Sequence, residues 1–323
     1  MKSILYSLLF LIIPKIVFSQ VPQNNELILS PDDSFIYLDS TASETKSKDY
    51  MYVRVVKDAK LKKENYIVQE YYRSGSLRMQ GISTTYTGTP KEGEVTYYYK
   101  NGTKKSVTNY IKGRTNGRST EWYEDGNKKL EGEYIEDNKK RTTNFKINEF
   151  WDKNGVQKVT NGNGFFEDTD ENQSSKGAVK NGFKDGNWEG SSLNPRLTYK
   201  EKYNEEKLIS GESWDRYNVS YKYTETEIRP TPKGGMSSFY QYVGKNYKLP
   251  NMPQGTKGKI YVTFVVDKEG KVTEPRIIKD IGYGTGEEAL RILNNYDGFN
   301  PGEQRGQKMK CLYSLPITIQ SAN

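Results

Sequence analysis

Two stretches, "EGEVTYYYKNG" at residues 92–102 and "NGRSTEWYEDG" at 116–126, constrain this chain more than any other feature, because one repeats the other. Each sets two glycines nine residues apart with aromatics between them, and Gly93 and Gly117, like Gly102 and Gly126, are separated by 24 residues. Self-similarity at a fixed period of this size marks stacked supersecondary units rather than a conventional globule. Fainter copies are "EYYRSG" ending at Gly75, "NEFWDKNG" ending at Gly155 and "NGFKDGNWEG" beginning at Asn181, which makes four or five units.

Each unit couples a strand rich in Tyr and Trp to a second, polar strand such as "KKLEGEYI", through a turn ("KNG", "EDG") whose Gly supplies a positive φ. A lone hairpin is marginal in water, so successive hairpins must pair edge to edge and share an aromatic stripe. At about 4.8 Å per strand, about ten strands would span about 50 Å. The aromatics then either form a binding face or pack on one another. Composition agrees with a folded but thin architecture: only 33% of the chain is hydrophobic, yet it holds 26 Tyr, and disordered segments are poor in aromatics. Over about residues 71–189 the pattern resembles the MORN-type repeats of bacterial proteins, including antitoxin-like ones. That resemblance implies a scaffold or an interaction surface.

Residues 1–19 read as a secretory signal peptide: Lys2, an apolar run from Ile4 to Ile13, and Val17 and Ser19 at the −3 and −1 positions of a cleavage site near Ser19. An uncleaved anchor is the alternative, although Pro14 and Lys15 end the run well short of the roughly 20 apolar residues of a spanning helix. The single cysteine, Cys311, cannot form an intramolecular disulfide and stands far from any lipidation position. An exported, periplasmic protein is expected. Residues 20–70, with "FIYLDS" and "YMYVRVV" as short strands, lead into a repeat region at 71–223.

The absence of His removes Ser-His and Cys-His nucleophile pairs and the commonest metal ligand together. "DTDEN" at 168–172 starts like a calcium loop, but Gln173 replaces the required Gly and Val179 stands where the bidentate Glu belongs, so it reads as a solvated acidic loop. No enzyme, cofactor or metal site is expected. The formal charge of +8 is concentrated toward the C-terminus, where residues 233–323 hold 13 Lys and Arg against 8 Asp and Glu. For an exported protein this points to an anionic envelope surface or an acidic peptide rather than to nucleic acid, with a merely solvated face as the commonest explanation of such a balance.

"ETEIRPTPKGG" has the composition of a linker, placed at 224–235, and the pattern changes beyond it. In "GKIYVTFVVD" the residues Ile260, Val262, Phe264 and Val266 share one face, and the turn ending at Gly270 closes a hairpin whose return strand, carrying Pro275, belongs at a sheet edge. Thr285 and Glu288 have the spacing of a capping box ahead of Ala289, Leu290 and Leu293 at helical intervals. A final strand is expected in which Met309, Cys311, Tyr313, Leu315, Ile317 and Ile319 face the core without a break. Cys311 is then an inert core residue.

With a short helix at about 236–243, the order is helix, two strands, helix, strand. Together with the glycines at 234 and 235, "KLP" at 248–250, "EEALRIL", "FNPG" and the closing "LPI", residues 236–323 resemble the C-terminal domain of the TonB family, although "GYGTGEEAL" departs from the usual acidic lead-in and Phe299 replaces the usual Trp. The expected fold class is mainly β with a small α+β domain: an elongated single-layer antiparallel sheet of repeated hairpins, then the TonB-like domain.

The resemblance implies capture of a short extended peptide, the TonB box of an outer-membrane transporter, as an added strand. The corresponding edge comprises Lys308, Met309, Lys310, Cys311, Leu312, Tyr313 and Ser314. Lys308, Lys310, Leu312 and Ser314 would point outward, with the two lysines suited to an acidic peptide; the alternative is an edge that those lysines protect. Neither a spanning anchor nor a long Pro-rich spacer is evident. The reading is therefore a periplasmic peptide-binding protein supporting TonB-dependent transport, with a second protein or envelope partner on the ribbon. The alternatives are a true energy transducer, retained by its N-terminus and coupled to inner-membrane proton-driven motor components, and an envelope scaffold acting through the repeats.

Overall fold

The computed structural model describes residues 30–137, 142–296 and 298–321; the expected signal peptide lies outside them. Sixteen antiparallel strands pair in sequence order: β1 (Ser34–Leu38), β2 (Tyr52–Val56), β3 (Tyr66–Tyr72), β4 (Leu77–Ser83), β5 (Lys91–Tyr98), β6 (Lys104–Ile111), β7 (Arg114–Trp122), β8 (Lys128–Asp137), β9 (Thr142–Trp151), β10 (Gln157–Thr160), β11 (Asn163–Thr169), β12 (Gln173–Lys180), β13 (Phe183–Leu193), β14 (Arg196–Asn204), β15 (Lys207–Asp215) and β16 (Ser220–Tyr223). The sheet exceeds the expected ten strands because the N-terminal strands join it and hairpins continue to Tyr223.

The 24-residue period is visible in the geometry. Gly93 lies opposite Tyr110 and Gly117 opposite Tyr134, one unit later. Their φ values are +65° and +68°, and a Cβ at either would meet nothing within 4 Å, so backbone conformation rather than crowding selects Gly there. Each turn closes the same way, with Tyr99 N–H on Thr103 O and Tyr123 N–H on Asn127 O at 2.8 Å. The aromatics knit units together: Tyr72, Tyr99 and Tyr123 donate their hydroxyls to the carbonyls of Tyr98, Trp122 and Trp151, each at 2.9 Å. Lys100, Lys105 and Lys129 lie over the same three rings at 5.4–5.9 Å. Through their hydroxyls these three rings bond within the sheet.

The described residues divide into two compact units, one within 30–164 and 181–183, the other within 165–180 and 184–321. The first has a small core of Val56, Tyr66, Val68, Met79 and Val95 beside a buried charge cluster. There Glu70, 1% exposed, accepts Arg54 from β2 at 2.8 Å and Arg78 from β4.

The second unit carries the C-terminal fold. Strands β17 (Glu227–Ile228) and β18 (Thr231–Pro232) lead into α1 (Gly235–Asn246), β19 (Lys257–Val266), β20 (Val272–Lys279) and α2 (Thr285–Asn294). Then come β21 (Phe299–Asn300), β22 (Gly302–Gln304), β23 (Gln307–Met309) and β24 (Cys311–Gln320). The sheet order is β20-β19-β24, which puts the strand with Pro275 at one edge and β24 at the other. Ile260, Val262, Phe264 and Val266 are fully buried against Ala289 and Leu293 of α2, with Leu315, Ile317 and Ile319 from β24. Phe299 packs its ring 5.6 Å from Phe264 and 5.4 Å from Tyr313, filling the place where the resemblance expects Trp.

Three expectations need correction. The stretch read as a linker is stitched into the domain, since β17 pairs with β22 and β18 with β21. The capping box does not form, because Thr285 is already the first helical residue and Gly284 holds the cap position. Asp280 caps instead: it takes the Thr285 hydroxyl at 2.5 Å and the Gly286 N–H at 3.2 Å. Burial alone would raise its carboxyl, but these bonds outweigh burial and bring it below the usual range. Finally, the last strand is broken. Arg305 and Gly306, at φ 48° and 77°, make a two-residue turn that folds 302–309 into its own hairpin, and β24 starts only at Cys311.

A candidate peptide-binding edge

The seven expected edge residues are thus split. Lys308 and Met309 belong to β23, paired with Glu303 and Gly302; Lys310 connects; Cys311, Leu312, Tyr313 and Ser314 begin β24. Alternation survives the break: Lys308, Lys310, Leu312 and Ser314 are exposed, while Met309, Cys311 and Tyr313 are half-buried. Cys311 is therefore at the margin of the core, not inside it. Burial, and then the nearby Glu227 carboxylate, push its thiol up.

Pro316 shows which backbone groups of β24 are unused. It faces Tyr261 in a register that runs without a shift from Cys311 opposite Val266 to Gln320 opposite Lys257. A residue with no N–H keeps such a register only where its nitrogen points away from the neighbour. Residues two apart share that direction, so the N–H and C=O of Leu312 and Ser314 point outward as well. Ser321, of opposite parity, donates inward to Thr256 O at 2.9 Å, as this assignment requires. Two outward donors therefore stand in sequence, followed by the gap at Pro316.

This edge is one wall of a groove of about 790 Å³. The facing wall is residues 227–231, and Glu303 and Gln304 also line it. Chain length explains why the two walls meet: β17 is held by β22, which turns through Arg305–Gly306 into β23 and then into the edge itself. Exposed Leu312 and Ile228 offer apolar surface, Lys310 and Arg229 positive charge, and Glu227 and Glu303 negative charge. The groove is mixed in charge rather than uniformly basic, because β17 and β22 bring in carboxylates that residues 308–314 themselves lack. Sequence reasoning missed this wall, and the only local hint was the "RG" turn dipeptide between two glutamines.

Among the described residues no His, Cys, Asp or Glu cluster could hold a metal, and no helix is long and apolar enough to cross a membrane. Residues 250–318 match the family model described as Gram-negative bacterial TonB protein C-terminal. The match spans β19 through most of β24 and contains all seven edge residues, and it supports a TonB-type C-terminal domain in this chain. No curated protein matches the chain, and no solved structure does.

Proposed function

We propose that this chain is an exported, periplasmic protein whose TonB-type domain captures an extended TonB-box peptide of an outer-membrane transporter and so supports TonB-dependent transport. The observation that carries this reading is the open edge of β24 at Leu312 and Ser314, lying along a groove. Added strands gain main-chain hydrogen bonds from such an edge and specificity from the alternate side chains beside it. The pairing Lys310 and Arg229 would favour an acidic residue in the peptide, and Leu312 with Ile228 an apolar one. A volume of about 790 Å³ falls within the range of ordinary ligand sites. Tyr72, Tyr99 and Tyr123 spend their hydroxyls on backbone carbonyls within the sheet, so the ribbon's role in this reading is to hold the domain and set its spacing, with any envelope partner taken on its exposed surface.

The test is a titration of the full-length, isotope-labelled chain with a synthetic TonB-box peptide. Amide shifts centred on Leu312 and Ser314 are expected. No shift at millimolar peptide would remove the reading.

A further inference from the structure

The tip of the β22–β23 hairpin is inserted into a socket built by β14, β15 and β16. Arg305 places Nε 2.8 Å from Glu201 Oε1, and its guanidinium lies 3.8 Å over the Tyr199 ring. The Arg305 carbonyl accepts the Ser213 hydroxyl at 2.8 Å, its N–H donates to Thr226 O at 2.8 Å, and Gln307 donates to Ser213 Oγ at 3.1 Å. Gly306 fits the floor closely: a Cβ there would stand 3.2 Å from Lys222 O.

The socket's centre is a carboxylate with no exposure at all. Glu201 accepts the Tyr223 hydroxyl at 2.8 Å and the Tyr203 hydroxyl at 2.9 Å, with Lys184 at 3.7 Å. Burial lowers the Lys184 pKa, so this lysine is a poor sole counter-ion. Glu70 provides the contrast: it too is buried, but both of its arginines come from the adjacent strands β2 and β4. At Glu201 the guanidinium is supplied by a residue 104 positions later in the chain. A buried carboxylate is costly without such a partner, so the ribbon's last hairpins are complete only when the C-terminal hairpin is seated.

We infer that Glu201 and Arg305 are positioning residues for the peptide groove. This inference rests on the proposed peptide capture. β22 carries β17, the groove's far wall, and β23 leads through Lys310 into Leu312 and Ser314. Seating Arg305 therefore holds both walls at once, although neither Arg305 nor Glu201 lines the groove.

The experiment compares the full chain with Arg305→Met and Glu201→Gln. Two quantities are read: amide hydrogen exchange, and affinity for the fluorescein-labelled TonB-box peptide. In both variants exchange should rise across 302–314 while β19 stays protected, and peptide affinity should fall about tenfold, a typical coupling between linked sites. Arg305→Lys, which keeps the charge but loses the fork and the ring stacking, should recover part of both. If Arg305→Met fails to fold, Arg305→Lys is read alone against the full chain. Unchanged exchange at 302–314, or raised exchange with unchanged peptide affinity, overturns the inference. If the unmodified chain binds no peptide, the groove reading fails separately, and the exchange data still decide whether the socket holds the edge.

Discussion

Leu312 stands opposite Val265 with its side chain 75% exposed and its backbone N–H directed away from β19. Its neighbour Tyr313 is directed the other way, with its ring 5.3 Å from Phe264 and its N–H used inside the sheet. Under the proposed peptide capture, these adjacent residues should separate binding from folding. Leu312→Pro should cost less than about 1 kcal/mol, since Pro removes no ladder bond there, yet abolish peptide shifts. Tyr313→Pro should cost more, about 2 to 5 kcal/mol, since it removes a ladder hydrogen bond as well as the half-buried ring. Urea unfolding of the two variants, followed by peptide titration of the first, checks this.

The hydroxyls of Tyr99 and Tyr123 each join one repeat to the next. Replacing either by Phe keeps the ring and removes one hydrogen bond, so each should lower stability by about 1 kcal/mol. Faster amide exchange should concentrate at the two strand ends that the bond connects.

Glu70 is the carboxylate that pairs with both Arg54 and Arg78 in their buried cluster. Glu70→Gln nearly preserves shape but leaves two guanidinium groups without their counter-charge. A loss of about 3 to 5 kcal/mol is expected, measured as a shift in the urea midpoint. A shift below 1 kcal/mol, on the order of an exposed pair, would show that water reaches the cluster.

Glu288 ties α2 to the segment that follows α1, taking the Lys248 N–H at 2.6 Å, and it accepts Arg291 of its own helix at 2.6 and 2.7 Å. The Arg291 bond, opposed by burial and helped by Lys248, holds its carboxyl down at about 2 from the ordinary 4.5. A carboxyl depressed in the folded state adds stability above its unfolded pKa and loses it as the pH falls toward the folded one. The thermal midpoint of the unmodified chain should exceed that of Glu288→Gln at neutral pH, and the gap should narrow between about pH 4.5 and pH 2. A pH-independent gap would contradict it.

Local chemistry made much of this molecule legible in its sequence. The spacing of Gly93, Gly102, Gly117 and Gly126 specifies hairpins, because a positive φ and a two-strand period act over a few residues. The alternation from Ile260 to Val266 likewise specifies a core strand, and Pro275 an edge. What the sequence alone determined, then, is the set of hairpins, the buried faces and the TonB-like order of elements. Only the tertiary structure decided that the final strand breaks at Lys310, that 227–231 forms a groove wall, and that Arg305 completes the site of Glu201. The reason is physical: these features depend on partners up to 104 residues apart, and no short-range periodicity records which distant backbone or carboxylate will satisfy a given donor.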